Sequence, residues 1–182
     1  PKSDCQAHIW RYSVLRERLL EAGNLISAKE AERRVLILEN PRFSGKYRIT
    51  TSLFSGLQLV IPGEVASAHR HSQSALRFII EGSGGQTAVD GERTIMEEGD
   101  FVITPPWTWH DHGNDSDAPM ILLDGLDIPL IRFFDTSFSE GYPEEEQPIT
   151  VPDGDSNARF GANLLPVDYQ STSPVSPLFA YP

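Results

Sequence analysis

Three histidines are the residues of this sequence best suited to bind a metal ion. His69 and His71 are separated by one residue, and residues two apart in an extended chain point to the same face. His110 follows 39 residues after His71, at the start of a candidate strand, and barrel closure can bring two such strands together. Three neutral imidazoles would bind a divalent metal and leave coordination positions open. The spacing by itself equally fits surface or hydrogen-bonded histidines, which are the commoner case.

The elements that must position these histidines begin with a predicted helical arm, residues 1–45. Leucines recur at helical spacing within residues 8–34. Ser27 and Glu30 form the pattern of a capping box, which predicts that a second short helix begins there.

After the arm, the pattern changes to short apolar or alternating runs separated by Gly, Pro and Asp, which is typical of antiparallel strands. The candidate strands are residues 35–39, 56–61, 76–81, 86–89, 93–96, 101–104, 110–114, 121–126 and 130–134.

This density of short strands predicts an all-β fold, a closed jelly-roll-like barrel over residues 46–140, because closure removes exposed sheet edges. Asp90 and Gly91 separate two candidate strands and form a strong hairpin signal. Residues 141–182 are acidic and rich in Pro, Gly and Ser, which indicates an irregular connector.

Composition narrows the class of partner. A chain of 182 residues with 39% hydrophobic residues supports one main domain. The formal charge of −11 argues against nucleic acid or an anionic membrane as partner and favours a small molecule or a protein. The single cysteine excludes an intrachain disulfide, and no apolar run is long enough to span a bilayer. A cytoplasmic location is the resulting expectation.

The residues around the histidines resemble the two sequence motifs of the cupin superfamily. The first motif is Gly63, five further residues and then His69 and His71. The second comprises Gly99, Pro105, His110 and Asn114. The resemblance implies a cupin fold, a jelly-roll-like β-barrel preceded here by the short N-terminal helical arm, with His69, His71 and His110 as the metal ligands.

Two departures from the cupin pattern affect the chemistry. Trp107 stands where a glycine is usual, and Ala75 and Leu76 stand where cupins usually supply a glutamate ligand. A site of three histidines without that carboxylate keeps the full double charge of the metal and leaves about three octahedral positions free. Such a site suits a bidentate anionic substrate together with dioxygen.

This combination resembles the gentisate 1,2-dioxygenase family, whose relatives cleave salicylate and 1-hydroxy-2-naphthoate. The similarity runs along nearly the whole chain, through residues 30–36, 68–78, 104–113, 123–129 and 161–166. It implies Fe(II) as cofactor, and a small aromatic hydroxy acid and O2 as substrates. Members have two cupin barrels, so we expect this chain to be the N-terminal half of a longer, homo-oligomeric protein. The alternatives are a non-catalytic metal- or ligand-binding cupin, and an isomerase or hydrolase that uses Zn or Mn in the same pocket.

Arg77, His112 and Asp124 are the candidate catalytic residues. Arg77 lies an even number of positions after His71, so an unbroken strand would turn it inward, where it binds either the substrate carboxylate or an internal partner such as Asp124 or Glu81. The resemblance favours His112 as a hydrogen-bond donor to bound substrate or dioxygen, with a fourth ligand or a core residue as alternatives. Asp124 either orients an imidazole or belongs to a turn.

The resemblance also implies a set of substrate-binding residues: Arg33, Phe54, Gly56, Gln58, Arg77 and Trp107. From the sequence alone, Arg33 fits a charged helix face and Gln58 a solvated strand position equally well. The rings of Phe54, Trp107 and Trp109 could wall an aromatic pocket, although large aromatic residues are more often part of the core.

Overall fold

Strands dominate the computed structural model, which describes residues 3–31 and 33–161. The strands of this part of the chain are β1 (Val35–Ile37), β2 (Phe54–Val60), β3 (Val65–His71), β4 (Ala75–Glu81), β5 (Gly85–Val89), β6 (Glu92–Met96), β7 (Phe101–Thr104), β8 (His110–Asn114), β9 (Met120–Leu126) and β10 (Ser139–Gly141). The helices are α1 (Tyr12–Leu25), α2 (Ile128–Phe133), α3 (Asp155–Phe160) and a 3₁₀ turn, Pro41–Phe43.

The strands form two five-stranded antiparallel sheets. The first has the order β1-β2-β9-β4-β7, and the second has the order β10-β3-β8-β5-β6. Consecutive strands repeatedly cross from one sheet to the other, for example from β3 to β4. This is the jelly-roll arrangement, and it confirms the predicted all-β cupin fold.

The two faces of the first sheet bury different sets of apolar residues. One set packs with α1 and comprises Leu19, Leu38, Leu57, Leu59 and Ile121. The other comprises Val60, Ile79, Met96, Met120 and Leu122 and includes a residue from β6 of the second sheet. Burial of each such side chain contributes about 1.5–3 kcal/mol. The first cluster therefore fixes α1 against the first sheet, and the second cluster holds the two sheets together.

The glycines of the two cupin-like motifs lie in tight turns. Gly63 has a φ of 78° and Gly99 a φ of 96°, a region that favours glycine because it has no Cβ. Asn114, at the end of the second motif, donates through Nδ2 to the main-chain oxygens of Val60 and Ala118, each at 2.8 Å. These motif residues therefore hold the turns that set where β3, β7 and β8 begin and end.

The prediction of a second helix after Ser27 is wrong. The capping box itself forms, because Ser27 N donates to Glu30 Oε2 at 3.1 Å and Glu30 N donates to Ser27 Oγ at 3.2 Å. The described residues that follow form turns, however. Buried Arg34 donates to the main-chain oxygen of Ile26 at 2.8 Å and pairs with Glu64, so tertiary contacts with the barrel override the local helix signal.

Three other predictions of elements need correction. Residues 130–134 were expected to be a strand, but Ile128–Phe133 is helical, with a proline at its start, where its fixed φ suits a helix. The strands β3 and β10 were not predicted, because β3 carries polar residues at most of its positions. None of the helices in residues 3–31 and 33–161 has both the length and the apolar run needed to cross a bilayer.

The predicted division into residues 1–45, 46–140 and 141–182 stays a prediction. Within the described residues, β1 already pairs with β2, so the first sheet includes a strand from the arm. The part of the connector at residues 162–182 lies outside the described residues.

Candidate metal centre

The second sheet carries the three predicted ligand histidines. His69 and His71 lie in β3, and His110 begins the neighbouring strand β8. His69 pairs directly with His110 across the two strands. Because side chains alternate along a strand, His69 and His71 lie on the same side, which is also the side of His110. Sheet pairing therefore brings the three imidazoles together.

The three rings are close enough to bind one ion. Their centroids are separated by 4.1 Å for His69 and His110, 4.8 Å for His71 and His110, and 5.3 Å for His69 and His71. One ligand nitrogen of each ring lies within 4.8 Å of the other two. Bonds from imidazole to a divalent metal such as zinc are about 2.0–2.1 Å long, so small side-chain adjustments suffice for all three to share an ion.

A common hydrogen-bond pattern orients these ligands. Nδ1 of each ring lies near the main-chain oxygen of a residue two positions away: Ser67 at 3.2 Å from His69, Gln73 at 2.9 Å from His71, and Thr108 at 3.0 Å from His110. His71 and His110 donate in these contacts, whereas Nδ1 of His69 also meets the guanidinium of Arg33, which can only donate. A hydrogen on Nδ1 leaves Nε2 with a free lone pair, as metal ligation requires. Nε2 of His110 is buried and has no hydrogen-bond partner among the described residues. The donor set thus fits a divalent metal.

The cavity also keeps the histidines neutral. Burial, followed by the charge of Arg33, lowers the pKa of His69 from 6.5 to about 3. Burial is likewise the largest cause that lowers the pKa values of His71 and His110. Because a protonated imidazole cannot bind a metal, these shifts keep the ligands available over a wide pH range.

Acidification is expected to destabilise the metal-free protein. Below pH 6.5 the unfolded chain binds protons that the folded His69, with its pKa of about 3, does not. The histidine contribution to the free energy of unfolding is therefore complete above pH 6.5 and is lost as the pH falls toward 3. Urea denaturation in a chelator at about pH 7 and about pH 4.5 measures the loss. The variant His69→Gln should lose less stability over this interval, and an equal loss in both proteins would contradict the assignment.

His112 is a fourth inward imidazole with a different partner. It is fully buried, its ring centroid lies 5.8 Å from that of His110, and its Nε2 has no hydrogen-bond partner among the described residues. Its Nδ1 lies 2.8 Å from the hydroxyl oxygen of Thr87. Burial, followed by the charge of Arg77, lowers the pKa of His112 well below 6.5. Thr87, and not Asp124, is therefore the side chain that contacts Nδ1 of His112.

Arg77 faces the histidines from the first sheet. The premise of one unbroken strand from His71 to Arg77 was wrong, because residues 72–74 separate β3 from β4 and the chain changes sheet there. Arg77 nevertheless lies inward, since buried residues alternate along β4 with Ala75, Arg77 and Ile79 on one side. Its charge is among the causes that lower the pKa values of His69, His71, His110 and His112.

Arg77 has two partners within the barrel. Its Nη1 donates to Thr104 Oγ1 at 2.8 Å, and its Nε lies 3.3 Å from Asp124 Oδ1. The pair with Asp124 lacks hydrogen-bond alignment, because both of these atoms remain without a hydrogen-bond partner. Burial is the largest cause in both groups, and it lowers the pKa of Arg77 and raises the pKa of Asp124. The ion pair is therefore incompletely compensated, and a further anion near Arg77 would be stabilised.

Asp124 lies in the middle of β9, so its interpretation as a turn residue was wrong. It pairs with Arg77 on β4 and with Gly56 on β2. Of the two internal partners considered for Arg77, Asp124 is the one observed, since Glu81 instead binds Arg16 at 2.6 Å.

Three predicted substrate-binding residues lie on β2. Phe54, Gly56 and Gln58 are two positions apart, so they share one face of the sheet, the face that also carries Asp124. A Cβ on Gly56 would lie 2.5 Å from Val35 and 3.5 Å from the ring of Phe54, so this position has no room for a side chain. Gln58 is 1% exposed, and its Oε1 has no partner among the described residues. Its interpretation as a solvated residue was therefore wrong.

Arg33 approaches the metal ligands from the arm. Its Nη2 donates to the main-chain oxygen of Ser67 at 3.1 Å and contacts Nδ1 of His69. Its charge also lowers the pKa values of His71 and Asp124. Arg33 therefore belongs to this cavity and not to an ordinary charged helix face.

Trp107 lies beside the site, but its ring packs on neighbouring side chains and does not form the predicted wall of the pocket. It has a φ of 62°, the left-handed region where a glycine is easier to place, and its N–H donates to the main-chain oxygen of His71 at 2.7 Å. Its ring packs on Phe138 and on the guanidinium of Arg70. The ring of Trp109 contacts Arg70 and Tyr142. These contacts brace the segment that carries His69 and His71.

Arg70, which lies between these two ligands in sequence, is expected to stabilise the fold through its stacking. The guanidinium lies 4.4 Å from the ring centroids of both Trp107 and Trp109 and binds Glu140 at 2.6 Å. Replacing it by lysine keeps the charge but loses the planar stack, so the free energy of unfolding should fall by about 1–2 kcal/mol. Urea denaturation measures this fall, with Arg93→Lys at an exposed ion pair as control. Equal effects of the two substitutions would contradict a role for the stack.

Thr87, Thr104 and Arg70 are the residues of the site that the sequence did not reveal. Threonine is common in strands. Thr87 and Thr104 are therefore identified as site residues only by their position on the inward side of β5 and β7. Residue alternation on those strands could have placed them inside, but not paired them with His112 and Arg77.

Unpartnered polar atoms concentrate in this cavity. The buried side-chain atoms without a hydrogen-bond partner in the described residues include Gln58 Oε1, Arg77 Nε, His110 Nε2, His112 Nε2 and Asp124 Oδ1. Buried polar atoms in proteins are nearly always hydrogen-bonded. Five such atoms on the facing inner sides of the two sheets indicate a site built for a polar ligand as well as a metal.

Two facing antiparallel sheets with imidazoles converging between them define a cupin with a metal site. A family model described as "Cupin domain" matches residues 56–126, the segment that contains every ligand histidine. The relatives narrow the family further. Gentisate 1,2 dioxygenase 1 of Aquipseudomonas alcaligenes is 65% identical over 182 residues, which are 100% of this chain and 52% of that protein. Gentisate 1,2-dioxygenase of Ralstonia sp is 39% identical over 184 residues, 100% of this chain and 51% of that protein.

Solved structures agree with these relatives. The crystal structure of salicylate 1,2-dioxygenase from Pseudoaminobacter salicylatoxidans, in adducts with gentisate, matches with a TM-score of 0.82 at 36% identity and covers 92% of this chain and 46% of that one. The chain therefore contains a cupin domain and is similar along its whole length to gentisate 1,2-dioxygenases, which confirms the resemblance seen in the sequence. It spans about half the length of the curated relatives that it matches.

Proposed function

We propose that this protein is an Fe(II)-dependent gentisate 1,2-dioxygenase. Its reaction would open the ring of gentisate between the hydroxylated and the carboxylated carbon, with both atoms of O2 entering the product, maleylpyruvate. The observation that carries the proposal is the placement of three imidazoles opposite a buried arginine within one barrel. The identity of 65% to a gentisate dioxygenase over the whole chain supports it.

The proposed ligands of the iron are His69, His71 and His110. Bound there, Fe(II) would supply the positive charge that stabilises a phenolate oxygen and the electrons that activate dioxygen. Imidazoles also bind Mn, Co, Ni and Zn, so the choice of iron rests on the family and on the reaction.

Arg77 would bind the substrate carboxylate. Within the described residues its Nη1 donates to Thr104, while its Nε faces Asp124 at 3.3 Å without a hydrogen bond. A guanidinium has five N–H donors in all. The planar fork matches a carboxylate bidentately. Since burial makes the charged form of Arg77 costly, a carboxylate in the cavity is stabilised by this residue and holds the ring in one orientation.

The residues of β2 would complete the pocket. Oε1 of Gln58 is an acceptor for a ring hydroxyl, Phe54 contributes an aromatic wall, and Gly56 lets the side chain of Val35 pack closely against β2 beside Phe54. Arg33 adds a second positive charge on the side of His69. The cavity thus offers cations to an anionic aromatic ring.

Oxygen consumption tests this proposal. The protein is loaded with Fe(II) without air, mixed with gentisate and then exposed to O2, while near-ultraviolet absorption follows the ring-opened product. Salicylate and 1-hydroxy-2-naphthoate test the alternative substrates, and 4-hydroxybenzoate, in which hydroxyl and carboxylate cannot chelate one ion, is the control. Gentisate should be consumed with one O2 per ring. Bound iron without oxygen uptake on any of these compounds would contradict the proposal and favour a non-catalytic ligand-binding cupin.

A homo-oligomeric assembly and a cytoplasmic location stay predictions. Light scattering of the full-length protein tests the first, and cell fractionation tests the second.

A further inference from the structure

One imidazole of the cavity differs from the others in how it is held. The Nδ1 atoms of His71 and His110 bind main-chain oxygens, which every residue type provides, and Nδ1 of His69 meets the main-chain oxygen of Ser67 and the guanidinium of Arg33. His112 instead meets a side chain, the hydroxyl of Thr87 at 2.8 Å. The partner of His112 is therefore set by the choice of amino acid at position 87.

The direction of this hydrogen bond follows from the second contact of Thr87. The hydroxyl oxygen of Thr87 lies 3.1 Å from the main-chain oxygen of Asp111. A carbonyl oxygen can only accept, and a hydroxyl has one hydrogen. The hydroxyl thus donates to Asp111 and accepts from Nδ1 of His112.

The position of the contact is fixed by sheet pairing. Thr87 and His112 are direct partners in the register of β5 and β8, and Thr87 is 1% exposed. Bulk solvent therefore does not reach Nδ1. Nε2, the other ring nitrogen of His112, is buried without a hydrogen-bond partner in the described residues.

We propose that Thr87 is a positioning residue that holds His112 in the Nδ1–H tautomer, so that Nε2 accepts a hydrogen bond from a hydroxyl of the aromatic substrate. This inference rests on the proposed function for the identity of that substrate. It differs in polarity from the expectation drawn from the sequence, which made His112 a donor. An acceptor at this point pairs with a phenolic hydroxyl, the only type of donor group on a hydroxybenzoate anion.

Nitrogen NMR on the intact protein tests the tautomer without reference to turnover. The protein is labelled with ¹⁵N-histidine and loaded with Zn(II), which is diamagnetic, and two-bond ¹H–¹⁵N correlations distinguish the Nδ1–H and Nε2–H forms of a neutral ring. The signals of His112 are identified by their loss in His112→Gln. We expect the Nδ1–H pattern in the wild type and in Thr87→Ser, which keeps the hydroxyl. In Thr87→Val, which keeps the shape but not the acceptor, we expect the Nε2–H pattern.

Activity gives the second readout. Thr87→Val should lower kcat on gentisate about 10- to 100-fold, as for loss of other hydrogen bonds that orient site imidazoles, and Thr87→Ser should restore most of it. An Nε2–H pattern in the wild type, or an unchanged Nδ1–H pattern in Thr87→Val, overturns the inference. If Thr87→Val fails to fold, the wild-type and Thr87→Ser spectra still decide. Absence of gentisate turnover in the wild type refutes the proposed function alone, because the tautomer is measured independently.

Discussion

Replacing His110 with alanine is expected to abolish stable metal binding and, with it, dioxygenase activity. His110 is the most enclosed of the three ligands, with 0% exposure and an unpartnered buried Nε2. Its Nδ1 is fixed by the main-chain oxygen of Thr108, so the ring is already oriented before a metal binds. Removal of a residue that merely orients a ligand costs about 10- to 100-fold in affinity, so removal of the ligand itself should cost more than about 100-fold.

Metal content after gel filtration, measured by mass spectrometry of the eluted protein, provides the test. The wild type loaded with Fe(II) should retain about one ion per chain, as one three-histidine group requires, and His110→Ala should retain almost none. His8→Ala is the matched control, because it removes an exposed histidine of the arm. Circular dichroism verifies that both variants fold. Full iron retention by folded His110→Ala would refute the ligand assignment.

The sequence predicted this centre well because its geometry depends on local features. One residue between His69 and His71 suffices to place both on one side of a strand, and the turns at Gly63 and Gly99 are visible as glycines at fixed distances. The polar residues of β3 concealed its strand character, yet the motif still identified the two histidines. Motif spacing therefore predicted the ligands even where the secondary structure was missed.

Arg77 was placed correctly for a reason that was wrong. An even number of residues between His71 and Arg77 would place both on one face only within a single strand. The chain leaves one sheet and enters the other at residues 72–74, so this argument does not apply. What turns Arg77 inward is the alternation of β4 itself, with Leu76 and Phe78 on the opposite side. The face-to-face position of Arg77 and the histidines is a property of the two-sheet fold, which no local pattern in the sequence expresses.

The partners of the inward residues could not be read from the sequence for the same reason. Thr87 meets His112 because β5 pairs with β8 in a particular register, and a shift of one residue would place a different side chain there. Similarly, the helix predicted after Ser27 does not form, because Arg34 pairs with Glu64 on the barrel. Long-range pairing decides both.

Replacing Arg77 with methionine is expected to have two separable effects, on stability and on substrate binding. The single substitution leaves Asp124 as an uncompensated buried charge, so the free energy of unfolding should fall by about 3–5 kcal/mol. The double variant Arg77→Met with Asp124→Leu removes both charges and should recover most of this loss, because buried ion pairs can often be replaced by apolar residues at little cost. Urea denaturation of the three proteins measures the effect.

The affinity for gentisate should not recover in the double variant, because both variants lack the guanidinium that binds the substrate carboxylate. Both variants should bind gentisate about 10- to 100-fold more weakly, the value of a charged hydrogen-bonded contact, and both should retain iron, because Arg77 is not a metal ligand. Arg18→Met, at an exposed pair with Glu21, is the control and should leave stability almost unchanged. Recovery of gentisate binding together with stability in the double variant would mean that Arg77 serves only the fold. Continued weak binding in a stable double variant would instead separate the carboxylate contact from the internal ion pair.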